Sequence, residues 1–191
     1  IVWRDNRDSG SHNIFFQRID ANGTTISSQL ALTVSDGSER AWPRIVWNGT
    51  YYGVAWAENT GFASRIVFAR VDLNGNVVGT KVLLGDTPNT RNSIDPDIAW
   101  TGTEFDLVWS SSIGADSSVW FARIGPDGAR MSVDVLAYDA AANSDRPRLA
   151  WSGSMRTKLD GDWLPIRAWQ YNFFDEPARL FYIESSMYGL P

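Results

Sequence analysis

The sequence predicts an all-β protein made of four-stranded antiparallel sheets repeated along the chain. Three observations predict it. Composite motifs return every 51 to 53 residues, short β-branched and aromatic runs alternate with period two, and no stretch sustains a helical period with caps.

The repeat is legible in the residues themselves. Segment 43–56 reads PRIVWNGTYYGVAW, segment 96–109 reads PDIAWTGTEFDLVW, and segment 147–154, PRLAWSGS, opens the unit again. Pro43, Pro96 and Pro147 stand 53 and 51 residues apart, as do Trp47, Trp100 and Trp151. Trp3, Trp56 and Trp109 are each 53 apart, so the chain is expected to open inside a unit, at a second strand. Six of the ten tryptophans therefore keep phase. Downstream, IFFQRIDANG at 14–23 matches IVFARVDLNG at 66–75 and VWFARIGPDG at 119–128, which makes Arg18, Arg70 and Arg123 equivalent. An apolar stretch closes each unit, at 30–34, 82–84 and 133–136.

Each unit reads as four strands. Ile45-Val46-Trp47 is β-branched and aromatic, with Pro43 as its expected boundary and Asn48-Gly49 as the turn that ends it. Tyr52, Val54 and Trp56 alternate with Gly53 and Ala55 to make the second strand. Residues 66–71 form the third, and Asn74-Gly75 turns it into the fourth at 77–84. Asp127-Gly128 supplies the same turn one unit later, glycine tolerating a positive φ at no steric cost. A sheet of this size cannot bury both faces alone, so stacked sheets must fill one another's faces, as blades of a β-propeller do. Each large aromatic ring so buried contributes roughly 1.5–3 kcal/mol. The expected organisation is a partial blade at 1–40, blades at 41–93 and 94–144, the start of another at 145–154, and an irregular β-rich segment at 155–191.

That last segment breaks the rhythm. After Ser154 the expected second strand is missing, and 155–191 reads either as a degenerate blade or as the start of a different β module. Arg179-Leu180-Phe181-Tyr182 echoes Arg65-Ile66-Val67-Phe68, which favours the former, while Gly161-Asp162-Trp163 followed by Ile166, Ala168 and Gln170 has another rhythm and faintly resembles a lipid-carrier-like curved sheet. A strand near 146–151 is also a candidate to complete the opening blade, the usual closure device. Two full units and two partial ones fall short of the four to eight blades of a closed propeller. A piece of a longer propeller, or a subunit closing by self-association through open aromatic faces, is the expectation.

The motif Trp-x-Gly-[Thr/Ser]-x-[Tyr/Phe]-x-[Val/Leu]-x-Trp, followed by Phe-x-Arg-[Val/Ile] and an Asx-Gly turn, resembles the tandem repeats of secreted bacterial β-propeller proteins over residues 1–154. The resemblance implies extracellular or cell-surface binding and adhesion, with a periplasmic site as the variant, and no shared catalytic residues. Sialidases also use propellers, but their Ser-x-Asp-x-Gly-x-Thr-Trp box is absent.

Composition narrows the chemistry. The 191 residues carry 17 Lys plus Arg against 22 Asp plus Glu, a net charge of −5 that argues against nucleic acid as partner. Basic residues are 15 Arg and 2 Lys. No apolar run reaches the roughly 18 residues of a membrane helix, and no basic start followed by an apolar core marks a signal peptide. Without cysteine there is no disulfide, thiol nucleophile or thiolate site. One histidine, His12, cannot build a zinc site from this chain alone, and no Gly-x-Ser-x-Gly elbow accompanies it. Asp5 and Asp8 form a calcium candidate, though the loop lacks the register and closing Glu of an EF-hand. Asp95 and Asp97 lie where a blade begins and have the means to line a central channel. The sequons at Asn22 and Asn48 fall in expected hairpin turns.

The candidate ligand-binding residues are Trp42 and Trp120, which do not recur in every unit, and the ring of Arg18, Arg70 and Arg123. The plainer role for that ring is structural, with Asp20 and Asp72, two positions on, as expected ion-pair partners. The expected function is a non-catalytic binding or scaffold segment for glycan or protein ligands. The alternative is a piece of a polysaccharide hydrolase or lyase whose catalytic residues lie mostly in other blades.

Overall fold

A computed structural model describes residues 1–7, 10–59, 61, 63–85, 91–114, 116–139, 146–151 and 166–169. Thirteen strands and no helix occur among them. The first blade is β1 (Val2–Asp5), β2 (Asn13–Phe16) and β3 (Leu30–Ala31). The second is β4 (Glu39–Trp47), β5 (Tyr52–Asn59), β6 (Ser64–Val71) and β7 (Val77–Leu84). The third is β8 (Asn92–Trp100), β9 (Phe105–Ile113), β10 (Asp116–Ile124) and β11 (Val135–Asp139). Within each blade, neighbours in sequence pair antiparallel, and a single parallel bridge, Ser64 with Asn92, joins the second blade to the third. The fold is all-β, an incomplete β-propeller.

Register repeats as strictly as sequence. Trp3 stands opposite Phe15, Trp56 opposite Val67, and Trp109 opposite Trp120. Because a strand's side chains alternate between faces, this shared register sends equivalent residues to equivalent faces. Two cores follow. Ile14, Phe16 and Leu32 of the first blade meet Val54, Trp56, Val67, Ala69 and Val71 of the second. Their equivalents Ile66, Phe68 and Leu84 then meet Leu107, Trp109, Ala122 and Ile124 of the third. Trp56 and Trp109 are wholly buried, as expected of residues that hold blades together. Trp47 and Trp100 do different work at the ends of β4 and β8. Each tilts onto the first ring of the following strand, Tyr52 at 4.5 Å and Phe105 at 4.8 Å.

The structure departs from the sequence reading at the first strand. Pro43 does not bound it: β4 runs through the proline from Glu39 to Trp47, and β8 runs through Pro96. A proline lacks the donor a ladder requires, so it is carried at an irregularity, and the register shifts between Ala41 and Arg44 and again between Ile94 and Asp97. β12 (Arg148–Trp151) pairs with β13 (Ile166–Trp169) and not with β1, so it does not complete the opening blade. The remainder of 155–191, with both readings of that segment, lies outside the described residues.

Candidate functional site

Pro43 and Pro96 sit at bulges of β4 and β8, and Pro147 immediately precedes β12. The strands β4, β8 and β12 lie side by side, β4 against β8 and β8 against β12. Immediately before each proline sits a residue with left-handed backbone: Trp42 at φ 51°, Asp95 at 50° and Arg146 at 54°. These are the three non-glycine residues with positive φ among the described residues. Such a conformation costs on the order of 1–3 kcal/mol per residue and persists where the surrounding fold over-determines it, often at functional sites. The repeat thus holds one backbone geometry while the side chain changes from indole to carboxylate to guanidinium.

Trp42 is 40% exposed. Asp95 is buried, and its Oδ2 lies 3.9 Å from Nε of Arg146, whose side chain is about half exposed. Two residues further on, past the proline, a second layer repeats: Arg44, Asp97 and Arg148. Arg44 and Arg148 each donate to the carbonyl of the preceding proline, at 3.3 and 2.8 Å. Arg44 Nε is 3.5 Å from Oδ1 of Asp97, and the other oxygen of Asp97 accepts the backbone N–H of Leu149 at 2.8 Å. Asp97 of β8 therefore ties β4 and β12 together. An aromatic face, exposed guanidinium and neighbouring carboxylate form a set suited to a polar ligand with one apolar face, such as a sugar ring.

The other sequence candidates sit elsewhere. Trp120 is half-buried on the face toward the second blade, with the Arg91 guanidinium 4.9 Å above its ring. It forms part of a cavity of about 600 Å³ lined also by Arg130, Met131, Ser132, Val133 and Asp134. There Arg130 pairs with Asp134 at 2.5 Å and donates to the carbonyl of Leu83, while Asp134 accepts the N–H of Gly85. Arg18 and Arg70 reach across the blade seams. Arg18 donates to the carbonyl of Leu73 and Arg70 to that of Pro126, each at 3.1 Å and each in the turn of the next blade. Their expected partners are engaged otherwise: Asp20 and Asp72 accept backbone N–H groups of their own turns, Asn22 and Thr24 in one case, Asn74 and Asn76 in the other. An aspartate two residues along the strand loses to a turn whose donors lie closer.

Arg123 breaks the series. It makes two hydrogen bonds of 2.8 Å to Glu104, a fork-on-carboxylate pair, where Arg70 instead lies over the Tyr51 ring at 5.0 Å. Opposite Arg123 on β9 stands Asp106, 1% exposed, with its Oδ1 lacking a partner among the described residues. Burial first, then the Glu104 charge, pushes the Asp106 carboxyl up to about 7, against the pull of Arg123. In the second blade this position is Gly53. Sequence reasoning passed over Asp106, and it also passed over Asp95 and Arg146 as equivalents of Trp42. The signal for the latter pair was present: all three precede the phased prolines.

Of the calcium candidate, Asp5 is bound by Arg7, which holds its carboxyl at about 2, and Asp8 lies outside the described residues. His12 Nδ1 is 2.9 Å from Glu39. Both asparagine turns form, and in the second Asn48 Oδ1 accepts the N–H groups of Thr50 and Tyr51.

Comparison with known proteins adds two findings. Residues 134–191 match a family model described as a family of unknown function, DUF6544. A thermostable family-43 glycoside hydrolase, a five-bladed β-propeller, has a similar structure at 12% sequence identity and a TM-score of 0.50. The likeness covers 94% of this chain and 73% of that one. No curated protein matches the chain.

Proposed function

We propose that this chain is an extracellular or cell-surface β-propeller segment, of the kind built from secreted bacterial repeats, that binds glycan at its axis and is non-catalytic as it stands. The observation that carries the reading is the set of three strained positions, Trp42, Asp95 and Arg146, held at one place in three blades. A fold that needed only to stack would place glycine there and avoid the strain. An exposed indole supplies the stacking face, and the carboxylate and guanidinium supply hydrogen bonds that orient hydroxyl groups. Trp120 offers a second aromatic surface, beneath Arg91.

The alternative, a segment of a polysaccharide hydrolase or lyase, draws on the fold shared with a glycoside hydrolase. Both axial carboxylates are held in ion pairs, Asp95 with Arg146 and Asp97 with Arg44, which favours binding over proton transfer. For residues 155–191 we favour a unit of a different kind. The family match from 134 supports it, and so does Asp106, a carboxylate at the position where Gly53 leaves room for the Phe105 ring of the following blade.

A glycan array probed with wild type and Trp42→Ala tests the reading. Wild type should bind a defined subset that the variant loses. A blank array for wild type would remove the proposal, and release of reducing ends from bound polysaccharide would move the assignment to the enzyme.

A further inference from the structure

We propose that Asn48 is a self-modification site, the Asn-Gly pair whose folded geometry drives loss of its side-chain amide, through a succinimide, to aspartate or isoaspartate. The sequence holds three Asn-Gly pairs, 22–23, 48–49 and 74–75, each between two consecutive strands. Their chemistry is common. The glycine N–H gives up its proton to hydroxide, and the nitrogen attacks Cγ of the asparagine. A C–N bond forms, the carbonyl electrons move onto Oδ1 as an oxyanion, and Nδ2 takes up a proton and leaves as ammonia. Water then opens the five-membered imide at either carbonyl. The net reaction consumes one water and releases one ammonia. Glycine permits it best, having no side chain to crowd the attack.

Two atoms separate the three pairs: the glycine nitrogen and the asparagine Oδ1. Gly23 donates its N–H to the Asp20 carbonyl at 3.1 Å, and Gly75 donates to the Asp72 carbonyl at 3.0 Å. Attack must break those bonds. Each of these turns also carries a carboxylate beside the reacting amide. Asp20 accepts the N–H groups of Asn22 and Thr24, and Asp72 those of Asn74 and Asn76. A negative charge so close opposes removal of a proton from a neighbouring amide. Gly75 is buried as well, against Leu30 and Phe16.

The turn at Asn48 has none of these restraints. Val46 and Trp47 precede it, so no carboxylate stands where Asp20 and Asp72 do. The N–H of Gly49 makes no hydrogen bond among the described residues, and Gly49 is exposed to open space. Oδ1 of Asn48, by contrast, accepts the N–H of Thr50 at 2.8 Å and that of Tyr51 at 2.7 Å. Two donors at that distance are what an oxyanion hole supplies. They draw electron density from Cγ and hold the charge that develops on Oδ1 as the C–N bond forms. The carbonyl oxygens of Asn22 and Asn74 accept no such bond among the described residues. Asn48 thus combines an unengaged nucleophile with a polarised carbonyl. The product alters a packed corner: isoaspartate lengthens the main chain by one bond beside Trp47 and Tyr52, whose rings lie 4.5 Å apart. It also adds a negative charge and erases the sequon at Asn48.

The test is peptide mass spectrometry of the whole wild-type chain after incubation in mildly alkaline buffer, once folded and once unfolded in urea. Trypsin places the three pairs in separate peptides, 19–40, 45–65 and 71–81, so each rate is read independently. Incubation in ¹⁸O-labelled water marks the aspartate and isoaspartate formed during the experiment. In the folded chain Asn48 should convert about ten-fold or more faster than Asn22 and Asn74, a cautious figure beside the effect of a single oxyanion-hole donor. In the unfolded chain the three rates should converge, because the carbonyl, carboxylate and oxyanion contacts that distinguish them are gone. Folded-state conversion of Asn22 or Asn74 as fast as that of Asn48 would overturn the proposal. A lead for Asn48 that persists undiminished in urea would also overturn it, by assigning the rate to neighbouring residue types. The comparison needs no substitution, so no variant has to fold.

Discussion

The ring of Phe105 in the third blade lies 5.2 Å from that of Phe68 in the second, tilted by 52°, and the two close over Gly53. Phe16 and Tyr52 repeat the arrangement one seam earlier, at 5.2 Å and 58°. A Cβ on Gly53 would sit 2.6 Å from the Phe105 ring. The backbone of Gly53 is ordinary, so the position needs glycine for space alone. Gly53→Ala should therefore cost about 1–3 kcal/mol by overpacking the seam. A urea midpoint that falls with an unchanged m-value would bear this out, whereas an unchanged midpoint would mean that the seam is loose.

Much of this was open to reading from the chain. Phased tryptophans, Asx-Gly turns and the shared Phe-x-Arg motif specify blade, register and seam together, because a period of two fixes which face each residue serves. What a repeat hides is its exceptions. Trp42, Asp95 and Arg146 differ in chemistry, so alignment by residue type separates them, and what unites them is their place before the phased prolines and a backbone alike within 4° of φ. Pro43 carried a second ambiguity. Proline ordinarily ends a strand, and here a bulge absorbs its missing donor, so the strand continues on both sides. Asp106 was hidden for the opposite reason: an acid in an alternating strand reads as solvent-facing until the facing surface is known.

Arg70 spans the seam between the second and third blades, and its reach to the Pro126 carbonyl is a hydrogen bond from a charged donor. Removing it leaves that carbonyl without this donor and uncovers the Tyr51 ring. Arg70→Met should lower stability by about 1–2 kcal/mol. Arg18→Met should act alike at the preceding seam, through Leu73. If the double variant loses no more than the sum of the two, the seams are independent clamps; if neither variant shifts the thermal midpoint, the arginines do not clamp at all.

Asp106 gives the chain a pH dependence of definite sign. Burial pushes its carboxyl up to about 7 in the folded protein from an ordinary 3.8, so the folded state holds the proton more tightly than the unfolded one. Below about 3.8 both states are protonated and the residue costs nothing through ionisation. As pH rises toward 7 the penalty grows, and above it the penalty is constant at up to about 4 kcal/mol, from roughly 1.36 kcal/mol per unit of pKa. Asp106→Asn should thus be more stable than wild type at pH 8, with the gain shrinking steadily toward pH 4. Denaturant midpoints of both proteins at pH 4, 6 and 8 measure it. A gain that is the same at all three would assign the effect to packing.

Trp42 ties stability to binding. Glycine adopts φ near +51° without the crowding a Cβ suffers there, so Trp42→Gly relieves strain while giving up an indole that is 40% exposed. The strain relieved is on the order of 1–3 kcal/mol, offset in part by glycine's greater freedom in the unfolded chain and by the apolar surface no longer covered. The variant should melt at or above the wild-type temperature and lose glycan binding altogether. Trp42→Ala separates the two contributions. It loses the same indole but keeps the strained backbone, so it should bind as poorly as the glycine variant and be less stable than it. An alanine variant as stable as the glycine one would show that residue 42 relaxes out of the left-handed region when the indole is gone, and that the indole itself, held by its surroundings, is what imposes the strain.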